Sequence, residues 1–140
     1  MRYPLIYTVV LFAILCIVRY AGDADGTYRL AYGTLGLMSG AIALTFLWLW
    51  RTRATPLASG MVLSWAGGGA TLGWWWSFTL LGEPEWMTVH PAPLAIASLC
   101  LVGACLHFAV IGASMGWWRY TWLAIPAACV AMALSITLLI

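Results

Sequence analysis

Residues 94–114 read LAIASLCLVGACLHFAVIGAS, twenty-one consecutive positions with one histidine and no acidic, arginine or lysine side chain. As an α-helix at 1.5 Å per residue this run is about 31 Å long, which matches the roughly 30 Å hydrocarbon core of a bilayer. A soluble helix of that length shows a polar stripe, and this one is apolar around most of its circumference. The solvent that suits it is lipid.

The rest of the chain agrees. Of 140 residues, 64% are hydrophobic and 7% charged, with mean hydropathy +0.97. Soluble domains carry about a quarter charged residues, and so small a sphere cannot bury this much apolar surface. The net charge of +2, with all six basic residues arginine and no basic run, excludes nucleic acid as an expected partner. The fold class expected is therefore an all-α integral membrane protein, a bundle of five transmembrane helices with short loops over 4–18, 30–50, 57–81, 94–114 and 121–140. Four spans plus one interfacial segment is the alternative arrangement. The whole chain, 1–140, is one transmembrane domain. Arg2 before the first apolar run has the look of a signal peptide, but no small-residue cleavage site follows, so an uncleaved span is expected.

Five spans put Arg2, Arg51, Arg53 and Arg119 on one side, and Arg19 and Arg29 with all four acids, Asp23, Asp25, Glu83 and Glu85, on the other. Arginine-rich short loops stay cytoplasmic. The expected setting is thus a bacterial inner membrane, with a cytoplasmic N-terminus and a periplasmic C-terminus. Tryptophan gives an independent pattern, because indole favours the headgroup region. Trp48, Trp50, Trp117, Trp118 and Trp122 anchor the cytoplasmic ends in this arrangement, and Trp74, Trp75, Trp76 and Trp86 the outer ends. Only Trp65 falls deeper. Three adjacent helical positions span about 200°, so at least one of Trp74–Trp76 is expected to pack inward or against a partner protein.

Glycine supplies the packing signal. GxxxG occurs as Gly36/Gly40, Gly69/Gly73 and Gly112/Gly116, and in lipid such small faces let helices approach closely. The run Gly67-Gly68-Gly69 has two readings: a close helix crossing, or an unwound segment of the kind that forms transporter sites at the membrane midplane. The crossing is the expected one, with Gly68 and Gly69 set against a helix or a bound molecule.

Few residues carry chemistry. Cys16, Cys100, Cys105 and Cys129 form no CxxC pair and sit in apolar runs, where cysteine acts as a small hydrophobe. Glu83, Glu85 and His90 have the right atoms for a divalent cation but no recognised spacing, and Pro84, Pro91 and Pro93 explain the loop as turns. No acid or arginine lies within a span, which counts against an ion-coupled exporter. His107 is the one ionisable residue expected inside the membrane. A ring hydrogen bond to a backbone carbonyl, Ser64 or Ser135 is the simplest role. Ligation of a haem or chlorophyll-type tetrapyrrole lying over Gly103 and Ala104, or a Cys105/Cys129/His107 metal pocket, are the chemical alternatives.

No catalytic constellation is present, so no enzyme activity and no resident metal are expected. Three function classes follow. First is a non-catalytic subunit or assembly partner of a larger membrane complex, an energy-transducing one being a natural host. Second is a small oligomeric channel or carrier built on Gly67–Gly69. Third is a haem- or pigment-binding membrane protein using His107. The expected partners are the lipid bilayer and other membrane subunits or further copies of the chain.

Overall fold

The computed structural model describes residues 3–22, 24–117 and 120–139; 91% of these are in helix, and there is no strand among them. Arg2, Asp23, Trp118, Arg119 and Ile140 lie outside the described residues. In chain order the helices are α1 (Tyr3–Ala21), α2 (Ala24–Arg53), α3 (Pro56–Leu80), α4 (Glu85–Val89), α5 (Ala92–Met115) and α6 (Thr121–Leu139).

Among the described residues, three helices are long and apolar enough to cross a membrane. These are α2, α5 and the Trp122–Leu139 stretch of α6, with mean hydropathies of 1.6, 2.4 and 2.1. The chain is thus compatible with a membrane location, on three spans where the sequence suggested five. Helix α1 runs for 19 residues, and the part of it with described side chains, Ile6–Ala21, is an apolar stretch shorter than a span. Helix α3 has the length, at 25 residues. Its five glycines and four tryptophans dilute its hydropathy, because a glycine adds no apolar side chain and indole is amphipathic.

Two boundaries differ from expectation for local reasons. The segment before residue 30 is not a loop: α2 starts at Ala24, with Asp25 in its first turn, where a carboxylate meets the positive end of the helix dipole. The connection after α3 is not bare turn either. Pro84 opens the five-residue α4, with Glu85 in its first turn, and this short helix lays Met87 inward at 2% exposure. The chain enters α4 through Gly82 and Glu83, with φ of 78° and 60°; the Glu83 N–H donates to the Phe78 carbonyl at 2.9 Å, closing the end of α3.

Helix α2 packs on α3, α3 on α5 and α5 on α6, with α1 in lighter contact with α2. The helices therefore stand in a row and not as a closed bundle. Helix α3 is the middle member, with its broadest interfaces to α2 and α5, while α1 touches α2 only slightly. Among the described residues the buried ones are few and, apart from Met87 and Pro126, small: Ser39, Ala43 and Ala58, with Gly33, Gly60, Gly67, Gly103 and Gly112. A water-soluble protein could not stand on that core. In lipid, where helices associate by close van der Waals packing, small residues at the contacts are what is required.

Candidate functional site

Helix α3 is zipped to its neighbours along two seams on opposite sides. On the α2 side the contact is reciprocal. A Cβ built on Gly36 would meet Gly73 N at 3.4 Å, Gly69 O at 3.5 Å and Leu72 Cβ at 3.5 Å. One built on Gly69 would meet Ser39 Cβ at 3.1 Å, Gly36 O at 3.2 Å and Gly40 N at 3.2 Å. The Gly36/Gly40 and Gly69/Gly73 motifs thus interlock backbone to backbone. One turn further along, the Trp76 indole covers Gly33, with Cε2 at 2.6 Å from where a Cβ would stand.

The α5 side was not foreseen. Gly60, Ser64 and Gly67 recur at i, i+4 and i+7 on α3, facing Ile96, Cys100, Gly103 and His107 on α5. A Cβ on Gly60 would lie 2.8 Å from His107 N and 3.1 Å from Gly103 O, and one on Gly67 would lie 2.9 Å from Cys100 N. One on Gly103 would run into Ser64 N and stand 2.9 Å from Gly60 O. The signal was present as small residues at helical spacing, but Gly60 and Ser64 do not spell GxxxG.

The remaining glycines separate by role. The run 67–69 is unbroken helix, with Gly67 in one seam and Gly69 in the other, so the unwound segment weighed from sequence is not formed. Gly68 and Gly73 have nothing within 4 Å in the Cβ direction, and the same holds for Gly40. In the Cβ direction Gly68 therefore meets no described helix of this chain, which leaves another chain or a bound molecule as the contact expected of it. The reason is angular: it falls between the two seams. Gly116 is not a packing residue either. It caps α5 in the left-handed conformation, φ 64°, and Trp117 N donates to Gly112 O at 2.9 Å to complete the cap. Gly112 is buried, with only Trp117 Cβ at 3.9 Å from its Cβ direction.

His107 lies on the α3-facing side of α5. Its Nδ1 is buried and has no hydrogen-bond partner among the described residues, and its ring meets Phe108 edge-on with centroids 5.8 Å apart. The bond expected from Ser64 or Ser135 is not made. Ser64 packs at the level of Gly103, one turn away, and Ser135 donates to its own helix, to Ala131 O at 2.8 Å. The space over Gly103, where a flat ring was envisaged, is occupied by α3. Cys105 lines a crevice between α5 and α6, and Cys129 is exposed, so the Cys/His pocket does not gather. No group of three metal-binding side chains occurs among the described residues.

The tryptophan triplet divides three ways. Trp76 turns in over Gly33. Trp75 is 41% exposed and meets Phe78 edge-on. Trp74 folds over the α4 loop, 5.6 Å from the His90 ring and 6.3 Å from Trp86. His90 completes this cluster by accepting from Ala92 N at 3.1 Å through Nδ1, which caps the start of α5. Glu83 and Glu85 stay exposed and do not join it. The other anchors, Trp48, Trp50, Trp86, Trp117 and Trp122, are exposed. At the far side of the row, the Arg19 guanidinium sits over the Tyr28 ring at 5.6 Å, holding the end of α1 to the start of α2. No protein-family model, no curated protein and no solved structure matches the chain.

Proposed function

We propose that the chain is a non-catalytic subunit or assembly partner of a larger complex in the bacterial inner membrane. In this arrangement α1, α2, α3, α5 and α6 all cross the bilayer, with the N-terminus cytoplasmic and the C-terminus periplasmic. Helix α3 is seamed along its length to α2 and α5, both long and apolar enough to span, and this supports its crossing with them. The alternation of helix direction also sends Trp48, Trp50, Trp117 and Trp122 to one end, with Trp74, Trp75, Trp76 and Trp86 at the other.

One observation carries the assembly role. Gly68 opens a notch between Trp65 and Trp75, which are 36% and 41% exposed and share its helix face at i−3 and i+7. Glycine costs about 1 kcal/mol relative to alanine in a helix interior. Gly67 and Gly69 offset that cost with close contacts in the Cβ direction, where Gly68 has none. A helix from another subunit, or from a second copy, seated between the two indoles gives it a role.

The size of the mildly solubilised protein tests this, with Gly68→Leu beside Gly69→Leu. The parent should run well above its 15.2 kDa monomer mass. Gly68→Leu should fold as well as the parent and run as a monomer, whereas Gly69→Leu should lose stability outright. A monomeric parent, or an unchanged assembly in Gly68→Leu, would remove the proposal.

A further inference from the structure

The opposite face of α3 carries a trough. At about 100° per residue, Leu63 and Ala66 stand roughly 140° and 160° around the helix from Gly68. Here a depression of about 340 Å³ between α2 and α3 meets a second of about 340 Å³ at Trp50 and Leu63, with Val62 in the wall of both. The second meets a third, of about 510 Å³ between α5 and α6, across the shared Leu106. Apart from the Ser59 hydroxyl at its edge, the side chains lining the trough are apolar, with Trp50 and Trp122 near the end where α2 stops and α6 begins.

We propose that this trough is a binding site for an anionic phospholipid, with acyl chain in the trough and phosphate on Arg51. Length is the first reason. From Gly40 to Arg51 the helix rises about 16 Å, close to one leaflet of a roughly 30 Å hydrocarbon core. A transmembrane helix needs a groove twice as long. In the other leaflet, Trp74 folds over α4 to contact Trp86 and His90.

Charge is the second reason. Leu44 and Leu47 line the trough, and Arg51 follows at i+7 and i+4, on the same stripe of α2 and at its mouth. Arg51 is exposed and has no ion-pair or hydrogen-bond partner among the described residues. A guanidinium at headgroup depth beside an indole suits a phosphate oxygen pair. Arg53 lies roughly 200° around the helix from Arg51, away from the trough. The site is on the face away from Gly68, so it stands or falls independently of the assembly role.

Brominated lipids quench nearby tryptophan and supply the test. The full chain is reconstituted in phosphatidylcholine vesicles containing, at equal mole fraction, either brominated phosphatidylglycerol or brominated phosphatidylcholine. The difference between parent and Trp50→Phe isolates the Trp50 share. The anionic lipid should quench that share with about fivefold preference, the effect of one arginine at an anionic surface. Arg51→Gln should bring the preference near parity, and Arg53→Gln should leave most of it; circular dichroism confirms that both variants are folded. Equal quenching by the two lipids in the parent means bulk lipid without headgroup selection, and overturns the proposal. So does loss of preference in Arg53→Gln but not in Arg51→Gln. Absence of Trp50 quenching by either lipid means that protein covers the trough, which also overturns it.

Discussion

Gly60 of α3 and His107 of α5 meet backbone to backbone, with 2.8 Å between His107 N and the place a Gly60 Cβ would take. No side chain separates the two helices there. Gly60→Ala must therefore push the helices apart along a seam that continues through Gly103 and Gly67. A loss of about 1–3 kcal/mol is expected, the range for overpacking a tight contact. Reversible unfolding in mixed micelles measures it, and a neutral Gly60→Ala would show that the seam can slide.

The alanine series should follow the distances. Gly103 meets Ser64 and Gly60 backbone, so its substitution should cost at least as much as that of Gly60. At Gly69 the neighbours stand at 3.1–3.2 Å, and at Gly36 at 3.4–3.5 Å, which is ordinary contact. The expected order of damage is Gly103, Gly60, Gly69, Gly36, with Gly36→Ala near neutral. Gly40→Ala and Gly68→Ala have open space and should gain up to about 1 kcal/mol from helix propensity. A Gly36→Ala variant as damaged as Gly103→Ala would mean that the α2 seam is tighter than the α5 seam.

That contrast shows where the sequence could be read and where it could not. The helical segments were legible because each is a long apolar run, and Gly36/Gly40 with Gly69/Gly73 were legible because the motif recurs at fixed spacing. The row arrangement was not. A helix that is apolar all round, like α5 or α6, carries no stripe to say which face is buried, so the neighbours of each helix cannot be deduced from periodicity. The α5 seam escaped for a related reason: Gly60, Ser64, Gly67 and Gly103 become one feature only once α3 and α5 are side by side. The short α4 escaped because a five-residue helix has no period.

His90 should act as a cap and not as a ligand. Its Nδ1 accepts from Ala92 N while its ring packs on Trp74 and Trp86. His90→Asn keeps an acceptor at short reach and should retain most of the stability. His90→Leu leaves the N–H unpaired and should cost about 0.5–2 kcal/mol, the usual worth of an N-cap. Both variants remove the ring from Trp74, so both should shift tryptophan emission alike. Equal stability of the two would mean that the hydrogen bond contributes nothing.

Topology has a direct test. With α1, α2, α3, α5 and α6 all spanning, a periplasm-active reporter fused after Leu139 should be active and a cytoplasm-active one silent. The same pair fused after Arg53 should give the reverse result. If both fusions report the cytoplasm, one of α3, α5 and α6 does not cross; α3, with its diluted hydropathy, is then the first suspect.

His107 gives the last expectation, because its Nδ1 is buried without a hydrogen-bond partner among the described residues. A buried unpaired polar atom costs about 1–3 kcal/mol, and replacing it by an apolar group of similar shape removes that cost. His107→Leu should therefore be as stable as the parent or more so, by up to about 1–2 kcal/mol, when the purified monomer is unfolded. Gly60 contacts His107 through its backbone, so the seam itself is untouched by the change. The assembled protein should distinguish two cases. If the leucine variant also assembles normally, the imidazole is a tolerated orphan. If it is stable alone but fails to assemble, or loses an absorption band that the parent shows, the partner of Nδ1 comes from outside the chain. A leucine variant less stable than the parent as a monomer would contradict the observed environment, since it would require a hydrogen bond within the chain itself.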